Sequence, residues 1–112
     1  MFNFLKSVQS VTAEEVKQAL DAKEDVTIVD VRTPEEYKKG HLDGSLLLPV
    51  DTVSKQAASL LKDKKKTLYV YCLSGSRSMQ ATDILLKLGY TKAFNMTSGL
   101  LAWRAKEYPL TQ

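Results

Sequence analysis

Four short apolar runs recur along the chain with helix-patterned segments between them, and that alternation limits what the chain can fold into. The runs are TIVDV (27–31), SLLL (45–48), TLYVY (67–71) and AFNM (93–96). They are rich in β-branched and aromatic residues and are apolar at successive positions, as strands buried on both faces are. Before the first run, Thr12-Ala13-Glu14-Glu15 has the form of a capping box, and Ala13, Val16 and Leu20 then share one helical face. Thr33-Pro34-Glu35-Glu36 reads as a second helix start, which Gly40 ends. A third helix, capped by Asp51 or Thr52, carries Val53, Ala57, Leu60 and Leu61. A fourth carries Ala81, Ile84, Leu85 and Leu88 and stops at Gly89, and a last begins at Ser98 and carries Trp103. Strands alternating with helices predict an α/β fold, a parallel sheet with helices on both faces. In such sheets ligands bind beyond the carboxyl ends of the strands.

At 112 residues the chain is expected to form one domain, 1–112, able to bury about two-thirds of the surface its unfolded form exposes. Disulfides and structural metals are then unnecessary, and one cysteine with one histidine could supply neither. No cofactor is called for. The net charge of +3 comes largely from Lys62-Asp63-Lys64-Lys65-Lys66, read as a solvated loop. No aromatic residue interleaves with these lysines to stack bases, so nucleic acid is not expected as a partner. The single thiol suits a reducing compartment. The opening MFNFLKSVQSVTAEEV lacks a charged region before a long apolar core, and its apolar stretch is too short for a membrane span. A cytoplasmic protein without a membrane partner is expected.

The only cysteine, Cys72, stands where the third run ends and a helix pattern begins. A thiol facing a helix N-terminus meets amides that have no intrahelical partners and carry partial positive charge. Such a thiol ionises more easily, and the thiolate is the nucleophile. Gly75 lets the intervening loop curl so that its amides converge. Ser74 and Ser76 add hydroxyl donors, and Arg77 adds a fixed charge able to hold an oxyanion. Leu73 completes the stretch Cys72-Leu73-Ser74-Gly75-Ser76-Arg77, read as an anion cradle with a sulfur nucleophile at its base. A buried, inert core thiol is the alternative reading of Cys72 taken alone.

From Val11 to Leu110 the chain resembles the rhodanese-like domains, single-domain sulfurtransferases. The resemblance rests on Val29-Asp30-Val31-Arg32, Glu35-Glu36-Tyr37, Gly40-His41, Gly44-Ser45, Pro49, Cys72 through Ser78, Ala81, Gly89, and Ser98-Gly99 with Trp103. It implies a five-stranded parallel sheet. It also implies that Cys72 accepts sulfane sulfur as a persulfide and passes it to a thiol or to cyanide. The family often has two glycines where this chain has Ser98-Gly99, and alanine at Ser45. Arg77 is the only cation of the loop, so a protein-borne or small organic persulfide is as good a donor candidate as thiosulfate. No second cysteine can resolve the persulfide, so the acceptor must come from outside the chain, and a sulfur-relay protein is a candidate partner.

Two other activities fit parts of this pattern. Cysteine-based phosphatases carry a similar loop, but one residue longer between cysteine and arginine, and no general acid is identifiable here. A docking or regulatory module would keep the fold without the chemistry, although such modules usually lose the cysteine. Outside the loop, His41 is assigned a structural hydrogen bond at a turn. Asp30 and Arg32 are expected to pair beneath the loop, and Trp103, Tyr37 and Tyr71 to pack.

Overall fold

The computed structural model describes residues 8–112. The first residues of the N-terminal stretch, on which the absence of a targeting signal was argued, and the start of the expected 1–112 domain lie outside the described residues. Along the chain come β1 (Gln9–Val11), α1 (Ala13–Asp21), β2 (Val26–Asp30), α2 (Pro34–Lys39), β3 (Leu46–Leu47), α3 (Val53–Leu60), β4 (Thr67–Tyr71), α4 (Ser76–Lys87), β5 (Ala93–Met96) and α5 (Gly99–Ala105). The strands form one five-stranded sheet in the order β1-β5-β4-β2-β3, with every neighbouring pair parallel. The fold is α/β, with helices on both faces.

Side chains of β4 alternate between two apolar layers, as the period of a strand requires. Leu68, Val70 and the following Cys72 join Val29, Ala57, Ala81 and Leu85, so α3 and α4 cover that face. Tyr71 joins Val16, Ile28, Leu100 and Trp103 on the other face, beneath α1 and α5. Trp103 is core, its indole nitrogen donating to the Pro109 carbonyl at 2.9 Å.

The expected capping box at α1 forms, and the helix start at Thr33 proves to be a second one. Thr12 and Glu15 exchange bonds of 2.8 and 3.0 Å at α1, and Thr33 and Glu36 exchange bonds of 3.0 and 3.2 Å at α2. The start of α3 differs from expectation. A 3-10 turn, Val50–Thr52, precedes it, and the Thr52 hydroxyl donates back to the Pro49 carbonyl at 2.7 Å, capping no helical amide. The run 45–48 is a strand only at Leu46–Leu47, because just two residues of it pair with β2. The fifth strand, β1, has no counterpart among the apolar runs. It is a three-residue edge strand, exposed at Gln9 and Ser10, held in register by β5. Among the described residues, no helix is long and apolar enough to cross a membrane.

β2, β4 and β5 end on the same edge, and α4 and α5 start there. Helix α5 docks directly onto the chain leaving β4. The Leu100 amide donates to the Cys72 carbonyl at 2.9 Å and the Leu101 amide to the Leu73 carbonyl at 3.1 Å. Gly99 allows this approach. Its φ is +45°, and a Cβ there would overlap the Cys72 carbonyl oxygen and lie 2.9 Å from that of Leu73. Gly99→Ala is therefore expected to lower unfolding stability by about 3 kcal/mol, combining left-handed strain with overpacking. Urea unfolding measures this, and an unchanged midpoint would show that the contact is not formed.

Candidate active site

Cys72 is the first residue after β4 and is 1% exposed. Its sulfur lies against the N-terminus of α4. The Gly75 amide donates to Sγ at 3.1 Å and the Ser78 amide at 3.3 Å. Gly75, at φ +115°, is the residue immediately before the helix. That left-handed conformation, open to glycine, turns its amide back toward the sulfur. The neutral thiol donates to the Ser78 hydroxyl at 3.3 Å, and that hydroxyl donates in turn to the Asn95 side-chain oxygen at 2.5 Å; once the thiol ionises, the hydroxyl can turn its proton to the sulfur.

These contacts set the charge of the thiol. Burial pushes its pKa up, but the Ser78 hydroxyl and the amides of Ser78, Gly75 and Ser74 outweigh burial, and the net shift is downward. A sulfur with converging N–H donors favours its anionic form. The same donors suit a persulfide anion formed at that position.

The other loop residues divide between two tasks. Ser74 and Ser76 are exposed and line a cavity of about 550 Å³ together with Ser10, Asn95, Thr97 and Ser98. Among the described residues, no charged side chain lines it. Leu73 is half-buried, and its side chain packs against the layer beneath α5. Arg77, expected as the oxyanion-holding cation of the loop, has a carboxylate partner within the chain. Its guanidinium makes a two-pronged pair with Glu36 of α2, at 2.8 and 3.1 Å. The pair holds the Glu36 carboxyl down at about 2, Arg77 contributing more than any other group.

Below the loop, Arg32 grips both oxygens of Asp30, at 2.7 to 3.2 Å, and donates to the Gly40 carbonyl at 2.8 Å. The expected pair thus forms, buried at 3% and 0% exposure. Tyr71, also buried, accepts the Leu42 amide at 3.1 Å, and its pKa is raised by that burial and then by Asp30. His41 bonds the Tyr37 carbonyl through Nδ1 at 2.7 Å and stacks on the Tyr37 ring, a turn-forming role remote from a general base. Among the described residues no group of three potential metal ligands occurs.

Three residues of this site carried signals that the sequence reading left unused. Ser78 was the last residue of the recognised loop motif. Glu36 stood in a helix start and in the motif Glu35-Glu36-Tyr37, with no partner assigned to it. Asn95 is the one polar residue in an otherwise apolar run.

The rhodanese-like domain family model matches residues 12–106. The chain belongs to the rhodanese-like domain family. A sulfurtransferase of Allochromatium vinosum is 34% identical over 103 residues, which are 92% of this chain and 94% of that protein. The thiosulfate sulfurtransferase PspE of Escherichia coli is 40% identical over 67 residues, 60% of this chain and 64% of that one. The solution structure of a rhodanese-like domain from Anabaena superimposes with a TM-score of 0.85 at 29% identity, covering 91% of this chain and 77% of that one. Curated relatives of this rhodanese-like domain are thus named sulfurtransferases.

In this rhodanese-like domain the Ser78 hydroxyl should hold the Cys72 pKa down. Ser78→Ala is expected to raise it, because the thiolate then loses a hydroxyl that favours the charged form. The pH dependence of thiolate absorbance or of iodoacetamide modification reads this shift. An unmoved midpoint would assign the lowering to the backbone amides alone.

Proposed function

We propose that this chain is a sulfurtransferase that carries sulfane sulfur on Cys72. The observation that carries the reading is the convergence of the Gly75 and Ser78 amides on one sulfur atom at the carboxyl edge of the sheet, with the Ser78 hydroxyl 3.3 Å from it. In the first step the Cys72 thiolate attacks the outer sulfur of a donor. A new S–S bond forms, the donor's own bond to that sulfur breaks, and the donor's remainder leaves with the electron pair, as a thiolate from an organic persulfide or as sulfite from thiosulfate. In the second step a thiol or cyanide attacks the terminal sulfur, and Cys72 departs as the thiolate it began as. A depressed thiol pKa removes the need for a general base. Cys72 is the only cysteine of the chain, so the acceptor is an external thiol, of a small molecule or of a sulfur-relay protein.

The surroundings favour an organic or protein-borne persulfide as donor over thiosulfate. The cavity beside the loop, about 550 Å³, is of the size that holds drug-sized ligands. Its hydroxyls and amides offer neutral hydrogen bonds. Arg77, the loop's cation, is engaged by a carboxylate.

Intact-protein mass spectrometry tests the reading. Incubation with glutathione persulfide should add one sulfur atom, cyanide should remove it as thiocyanate, and Cys72→Ser should gain none. No gain from glutathione persulfide or thiosulfate, or an equal gain in Cys72→Ser, would overturn it. One observation favours a docking module instead, the 1% exposure of Cys72. Complete resistance of the native thiol to alkylation would favour that reading.

A further inference from the structure

We propose that Glu36 is a specificity-determining residue of this site, holding Arg77 out of use and so biasing the loop against oxyanionic sulfur donors. The inference rests on the sulfurtransferase reading and concerns which donor that site prefers.

Arg77 occupies the second position of α4, where the helix dipole opposes a cation. An anion must offset that placement, and two are at hand. One is the sulfur of Cys72, whose charge contributes to raising the Arg77 pKa. The other is Glu36, which meets the guanidinium with both carboxylate oxygens, at 2.8 and 3.1 Å. Paired forks of this kind combine charge with fixed geometry.

Glu36 is itself held in place. Its Oε1 accepts the Thr33 amide at 3.0 Å and the Thr33 hydroxyl at 3.2 Å, closing the capping box of α2. The carboxylate is thus oriented by its own helix before it meets Arg77. The second arginine beneath the loop, Arg32, is occupied in the same way by Asp30. A dianionic donor such as thiosulfate therefore approaches a thiolate whose loop cation is already neutralised, while Arg32 is buried out of reach. To use Arg77 it must displace Glu36. A persulfide without such charge needs only the loop amides and the largely apolar cavity beside them.

Glu36→Gln isolates the charge, because glutamine also serves at this position of a capping box and the helix start is kept. Binding is measured first in the Cys72→Ser background, where no sulfur is transferred, by titrating thiosulfate calorimetrically. Cys72→Ser/Glu36→Gln should bind thiosulfate about tenfold more tightly than Cys72→Ser, the effect of one released charge-assisted contact. Adding Arg77→Ala should abolish the gain. An unchanged affinity, or a gain that survives Arg77→Ala, overturns the inference. With Cys72 present, Glu36→Gln should raise kcat/KM for thiosulfate, chiefly through KM, and leave that for mercaptoethanol persulfide within about twofold. A parallel change for both donors also overturns it. Failure of the unsubstituted protein to take sulfur from either donor would instead sink the sulfurtransferase reading, while the binding comparison would still decide the role of Glu36.

Discussion

The short segment leaving β4 is held from two directions, and the rest of the site depends on that clamp. Helix α5 bonds the backbone carbonyls of Cys72 and Leu73, while α4 presents amides and a hydroxyl to the Cys72 sulfur. The first contact fixes where the cysteine sits. The second fixes which charge it prefers. Both need backbone conformations in the left-handed region, at Gly99 and Gly75, and each glycine therefore has a specific reason for its place. Ser98, just before α5, adopts φ +58° without being glycine. A serine thus occupies a backbone conformation suited to the glycine that the family often carries there.

Charge around the loop is balanced in pairs. Asp30 with Arg32 lies buried below it, and Glu36 with Arg77 lies partly exposed beside it. Neither arginine offers a free positive charge to a ligand. The favourable electrostatics at the sulfur come instead from oriented N–H dipoles, which are fixed by the fold, and from a hydroxyl beside them. Dipoles of this kind stabilise a single negative sulfur at short range, and they do so without attracting distant anions. That combination accounts for a lowered thiol pKa in a site with little net charge.

Much of this was legible in the sequence because it is encoded locally. The helix starts at Thr12 and Thr33, the buried runs and the junction at Cys72 each rest on residues within a few positions of one another. Gly75 and the start of α4 were readable for the same reason. Other features depend on distant partners. Arg77 and Glu36 are 41 residues apart, and nothing near Arg77 in the chain announces the carboxylate that meets it. β1 is short and polar at Gln9 and Ser10, and only its pairing with β5 makes it a strand. Ser78 reaches the sulfur because the first turn of α4 rotates it back beneath Cys72, a matter of helical phase that spacing alone did not reveal. Asn95 could have been singled out, since a polar residue inside a buried strand needs a partner.

The central claim is that the amides of Gly75 and Ser78 hold a charged sulfur on Cys72. Amide NMR before and after loading with glutathione persulfide tests it most directly. Shifts are expected to concentrate at Ser74, Gly75 and Ser78 and to be absent in Cys72→Ser, with α3 and the far end of the sheet unmoved. A loaded protein in which those amides do not move would contradict it, because the added sulfur would then lie outside the cradle.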